Sequence, residues 1–110
     1  MKKKHEYYVS EATSLAHKST MIKRHGCVIV KNGEIIGKGY NYRTDHLKNT
    51  YSIHAEMSAI IGARKVVGKD LSECSLYVVR ISDKGLCKSL PCEMCSAFIN
   101  QHRISRCFFS

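Results

Sequence analysis

His54, Ala55 and Glu56 are followed much later in the chain by Pro91, Cys92, Glu93, Met94 and Cys95. These residues supply three side chains that ligate zinc and one carboxylate placed to move protons. Two cysteines separated by two residues can bind one metal ion, and a distant histidine can complete a three-ligand site whose fourth position stays free for water. Such an open position distinguishes a catalytic centre from a structural staple, which closes with four protein ligands.

The elements that must position these residues follow from pattern. From about Glu6 to Met21, Val9, Ala12, Leu15, Ala16 and Met21 recur at roughly helical spacing with no Pro or Gly, which predicts a first helix packed on one face of a sheet. Cys27 to Lys31 and Glu34 to Gly39 flank Asn32-Gly33, a strong signal for an antiparallel hairpin with a primed turn. A polar segment from Asn41 to Tyr51 comes next, and Ile53, Met57, Ile60 and Ile61 then restore helical spacing, with Ser52 as the expected cap and Gly68 as the end. Leu76 to Ile81 reads as a strand buried on both faces. A loop from Ser82 to Leu90 leads to Pro91, which suits the first turn of a third helix running to about His102. Cys107 to Phe109 makes a last strand, parallel to Leu76–Ile81 through a right-handed crossover.

Side chains in a helix tilt toward its N-terminus, so His54 and Glu56 can share the space in front of the second helix. Cys92 and Cys95, three apart, are neighbours on one face of the third helix's first turn. Both groups then lie at positive helix ends, which favour thiolates and an anionic hydroxide.

The order H-x-E and then P-C-x-x-C, with the hairpin from Gly26-Cys27-Val28-Ile29-Val30 to Gly39-Tyr40-Asn41, resembles the cytidine deaminase-like superfamily. The resemblance runs from about His25 to the C-terminus. It implies an α/β fold, a three-layer α-β-α sandwich with a mixed sheet, truncated at the C-terminus, and one zinc-dependent deaminase domain over residues 1–110. It further implies a hydrolase in which zinc, held by His54, Cys92 and Cys95, presents hydroxide to the amine-bearing ring carbon. Glu56 would shuttle the proton to the ring nitrogen and the departing amine. Asn41 matches a substrate-contacting asparagine and the Ala55 backbone a segment that binds the base edge. Cys27 stands where many relatives have a small alanine, and it is assigned no chemistry.

The expected reaction is conversion of cytosine to uracil in a nucleotide or nucleoside. The histidine-first ligand set resembles deoxycytidylate-type enzymes, whereas small free-cytidine deaminases usually place a cysteine first. Adenosine deamination in RNA, or deamination of single-stranded polynucleotide, is the alternative within the same chemistry. An alternative of another class closes a four-sulfur zinc site from Cys87, Cys92, Cys95 and Cys107 in a non-catalytic nucleic-acid-binding module; it leaves His54 and Glu56 unexplained.

The 110 residues suit one domain, and 44% hydrophobic with 25% charged residues is ordinary globular composition. A formal charge of +9 favours anionic partners, nucleotides or nucleic acid. Arg43 and Lys48 before His54, with Lys84 and Lys88 before Pro91, are candidates for reading phosphate. Tyr40, Tyr42 and Tyr51 are candidates for stacking on a base. No apolar run approaches the ~20 residues needed to span a bilayer, and no export signal accompanies the six cysteines, so free thiols in the cytoplasm are expected. The last apolar strand would expose a sheet edge, from which a homo-oligomer is expected.

Overall fold

Asn32 and Gly33 both take positive φ, 52° and 80°, as a primed two-residue turn requires. They join strand β1 (Arg24–Lys31) to antiparallel strand β2 (Glu34–Tyr40). The computed structural model describes residues 2–20, 23–44, 51–82, 85–87, 93–104 and 106–109. Helix α1 (Lys2–Ala16) precedes the hairpin; strands β3 (Tyr42–Thr44) and β4 (Tyr51–Ile53), helix α2 (Ala55–Val67), strands β5 (Ser75–Ser82) and β6 (Gly85–Cys87), helix α3 (Glu93–Gln101) and strand β7 (Arg106–Phe109) follow.

The main sheet runs β2-β1-β5, and the far edge of β5 is shared by two short strands. Its N-terminal half pairs with parallel β7, and its C-terminal end pairs with antiparallel β6. Because successive strand residues face opposite sides, the sheet feeds two cores. Cys27, Ile29, Leu76 and Val78 join Ala55, Ala59, Ile60 and Ala63 of α2 and Ile99 of α3. Val28, Val30, Tyr77, Val79 and Ile81 join Tyr8, Ala12, Leu15 and Ala16 of α1. The result is the three-layer α-β-α sandwich with a mixed sheet that the sequence implied.

What brings α2 against the sheet is a match of small residues. Ala55, Ala59 and Ala63, four apart and therefore on one face of the helix, are fully buried and lie over Gly37 and Gly39 of β2. A Cβ on Gly39 would stand 2.5 Å from the Ala55 carbonyl oxygen and 2.6 Å from the Ala59 nitrogen. Gly68 ends α2 at φ 87°, its N–H donating to the Arg64 carbonyl, the glycine stop that the sequence marked.

Three expectations need correction. Helix α1 spans Lys2–Ala16, not Glu6 to Met21: its lysine-rich start has good helix propensity but no apolar periodicity to announce it. Both ends of the polar stretch from Asn41 to Tyr51 belong to a two-stranded ribbon, Tyr42 opposite Ile53 and Thr44 opposite Tyr51. Ser52 therefore belongs to β4 and cannot cap α2, whose N-cap is His54. The stretch expected as a loop after Ser82 contains β6; three-residue strands are too short to display alternation.

Gly39→Ala should lower stability by about 1–3 kcal/mol in urea denaturation, since the added methyl meets backbone that cannot step aside. Gly62→Ala, inside α2 with its nearest outside atom 3.8 Å from the added carbon, should instead gain roughly 0.5–1 kcal/mol. Equal midpoints for the two variants would show that α2 does not bear on β2 this closely.

Candidate deaminase site

Residue 54 occupies the N-cap of α2 in extended conformation, φ −79° and ψ 146°, yet its side chain makes no capping hydrogen bond. N-caps are usually Ser, Thr, Asp or Asn because their oxygens accept from the first-turn amides. The imidazole here has other work: its Nδ1 lies 3.2 Å from Sγ of Cys95, a fully buried residue in the first turn of α3. Two helix starts distant in sequence thus converge on one nitrogen–sulfur pair.

That pair fits the metal the sequence implied. Zinc binds imidazole nitrogen at about 2.0–2.1 Å and thiolate sulfur at about 2.3 Å, which in a tetrahedron separates the donors by about 3.5 Å. The observed spacing is close to this, and mixed nitrogen and sulfur donors suit zinc. Among the described residues no third ligating group completes a cluster; Cys92, the third member of the expected set, lies outside them.

Glu56 is the second residue of α2 and only 6% exposed. Burial raises its pKa, which outweighs the lowering by its own backbone N–H and by His54. Desolvation of this kind is one way in which a carboxyl is brought toward general acid–base work. Ala55, between His54 and Glu56, is fully buried, and its carbonyl faces Gly39. Beneath them Cys27 is fully buried, and burial, reinforced by Glu56, Cys107 and Cys95, pushes its thiol well up. It is a neutral wall residue, in keeping with the absence of any assigned chemistry.

Asn41 is buried and ties the site to the sheet. Its Oδ1 accepts from the His25 N–H at 2.7 Å, its Nδ2 donates to the Lys23 carbonyl at 2.7 Å, and its backbone N–H donates to the His25 carbonyl at 3.2 Å. The asparagine expected at substrate is therefore also the clasp between the end of β2 and the start of β1. The His25 imidazole, half-buried, has its pKa lowered by burial first and then by Arg80, His54 and Lys23.

Arg43 belongs to β3, but its side chain lies outside the described part, as do Lys48, Lys84, Lys88 and the Tyr51 ring. Tyr40 packs against the core on the α1 side, away from His54, while Tyr42 is exposed. Arg80 sits within the run Leu76 to Ile81 on the alternation that carries Leu76 and Val78, a charge among apolar residues of one face that also acts on the His25 imidazole. Cys107 packs among apolar residues beside β5. With Cys95 facing His54, the four-sulfur alternative leaves that contact unexplained.

No helix among the described residues is long and apolar enough to cross a membrane. The tRNA-specific adenosine deaminase of Streptococcus pyogenes serotype M1 is 40% identical over 101 residues, 89% of this chain and 53% of that protein. The probable deoxycytidylate deaminase of Caenorhabditis elegans is 31% identical over 125 residues, 97% of this chain and 57% of that protein. The chain spans about half the length of the curated relatives it matches. Guanine deaminase from Bacillus subtilis superposes with a TM-score of 0.71 at 31% identity, over 96% of this chain and 63% of that one. The dCMP deaminase of cyanophage S-TIM5 shares the fold, with a TM-score of 0.70 at 23% identity over 93% of this chain and 78% of that one. Residues 2–110 match the model of the cytidine and deoxycytidylate deaminase zinc-binding region, and the chain belongs to that family.

Proposed function

We propose that the chain is a zinc-dependent hydrolytic deaminase acting on the cytosine of a nucleotide or nucleoside. The observation that carries the reading is the 3.2 Å approach of His54 Nδ1 to Cys95 Sγ beside a buried carboxyl of raised pKa, Glu56. His54, Cys92 and Cys95 would hold the metal. Zinc, when bound, supplies Lewis acidity that makes water nucleophilic near neutral pH.

The remaining work falls to the chain. A Glu56 carboxylate oxygen takes a proton from the attacking water as oxygen adds to the amine-bearing ring carbon. The same oxygen returns that proton to the ring nitrogen; the carbon–nitrogen bond to the amine then breaks, and ammonia leaves with a second proton from the new hydroxyl, delivered by Glu56. Burial of Glu56 keeps bulk water from competing for these transfers. Asn41 and the Ala55 backbone hold the nucleoside, with Arg43 as a further substrate contact.

Adenosine in transfer RNA is the second reading. It is favoured by the 40% identity to proteins named tRNA-specific adenosine deaminase and by the +9 charge, which suits a polyanion. Mass-spectrometric detection of deamination over cytidine, deoxycytidine, their monophosphates, adenosine, guanine, single-stranded DNA and transfer RNA separates the two. Conversion of transfer RNA alone would replace the cytosine reading.

Glu56→Gln should cut turnover by roughly 10²–10⁴-fold while zinc content by elemental mass spectrometry stays at the wild-type level. Cys95→Ser should lose zinc and turnover together, because it removes a ligand. Wild-type zinc content in Cys95→Ser would remove Cys95 from the ligand set. Among the described residues β7 pairs only with β5, and Phe108 is 39% exposed on it, which supports assembly with a second copy. Light scattering at micromolar concentration should report a homo-oligomer, and a monomer there would count against it.

A further inference from the structure

The imidazole of His25 has no part in the proton transfers, yet it stands beside them. His25 lies in β1 opposite Arg80 of β5. Two residues on, Cys27 is fully buried in the core under α2, and strand alternation puts His25 on that same face. Cys27 is the partner of Gly39, over which α2 begins. His25 is therefore one step farther along the face, at the end of the sheet where α2 carries His54 and Glu56. The charges of Arg80 and His54 both act on its ring, in keeping with that position.

The backbone of His25 is held still. Its N–H donates to Asn41 Oδ1 at 2.7 Å, and its carbonyl accepts from the Asn41 N–H at 3.2 Å. The ring is uncommitted: it is half-buried, its nitrogens are not closed to solvent, and among the described residues neither has a hydrogen-bond partner. An imidazole keeps an N–H donor in either protonation state. A fixed donor at the wall of a pocket, with no partner among the described residues, suits a polar group of the ligand.

We propose that His25 is a specificity-determining residue that hydrogen-bonds a sugar hydroxyl of the target nucleoside, so that the site selects its substrate by sugar as well as by base. This rests on the deaminase reading of the neighbouring site. In that reading Glu56 and the Ala55 backbone, at the start of α2, take the reacting edge of the base. The sugar, attached on the far side of the ring, then extends toward the next residues along the sheet, His25 and Asn41. A hydroxyl both donates and accepts, so it can pair with a ring nitrogen in either tautomer. The 2′- and 3′-hydroxyls offer the same chemistry to His25.

The test compares zinc-loaded wild type, His25→Phe and His25→Gln on substrates that differ only in the sugar of the target residue. These are cytidine, deoxycytidine and 2′,3′-dideoxycytidine, the same three as 5′-monophosphates, and an anticodon stem-loop RNA with adenosine or 2′-deoxyadenosine at the target position. In whichever series is converted, His25→Phe should lose roughly 10–100-fold in kcat/KM on the substrate bearing the hydroxyl and little on the one lacking it. His25→Gln, which keeps a donor and an acceptor, should fall between. A gap from wild type that closes on going from ribose to deoxyribose identifies the 2′-hydroxyl; one that closes only in the dideoxy compound identifies the 3′-hydroxyl. Equal loss across the sugars, or no loss on any, overturns the proposal. Thermal melting checks the fold of each variant, and if His25→Phe does not fold, the selective loss is read from His25→Ala. If wild type converts no series, the deaminase reading fails separately, and equilibrium dialysis of cytidine against 2′,3′-dideoxycytidine decides His25. Tighter binding of cytidine, lost in the variants, sustains it; equal binding of both overturns it.

Discussion

The close seating of α2 on β2 is the constraint on which the rest of the structure depends. Gly37 and Gly39 leave room for the backbone of the alanine face of α2, and fully buried Ala55, Ala59 and Ala63 bring nothing bulky to the contact. A helix held by small residues at short range has little freedom to slide or rotate, because interiors are packed near crystal density. His54 and Glu56 sit at the start of this helix and inherit its position. Had the interface been built from leucines, the helix would stand farther from the sheet and its first turn would meet Cys95 differently.

Electrostatics then follows from depth. The same seating that fixes Glu56 also buries it, and burial raises its pKa. The adjacent thiol of Cys27 is raised well up by complete burial and by Glu56. On the opposite face α1 covers the sheet with Tyr8, Ala12, Leu15 and Ala16. That layer stiffens β1 and β5 from behind without contributing to the chemistry. The division of labour between the two faces arises from strand alternation alone.

Much of this was legible in the residues. Asn32-Gly33 specified the hairpin, Gly68 the end of α2, and Leu76–Ile81 the central strand, because each rests on a local rule with a strong physical cause. The approach of His54 to Cys95 was legible because metal chemistry restricts the side chains that can serve, and the sequence set these two apart on that ground. What escaped was set by partners far away in sequence. The β3–β4 ribbon is three pairs long and has no period to read. Ser52 looked like a cap because capping is a local preference, whereas the competing demand on His54 came from Cys95 on another helix. Asn41 was read only toward substrate, and its clasp on Lys23 and His25 became visible once the register of β1 and β2 was known. Arg80 was hidden inside a strand pattern whose other members are apolar.

The His54–Cys95 pair joins residues 41 positions apart in the chain. An ion bridging them would act as a cross-link that only the folded chain can form, since the unfolded chain would have to close that loop against its own entropy. Metal binding and folding are then linked equilibria: free energy released on binding the ion adds to that holding α2 and α3 together. Metal supply would thus set how much of the protein stays folded as well as how much of it is competent.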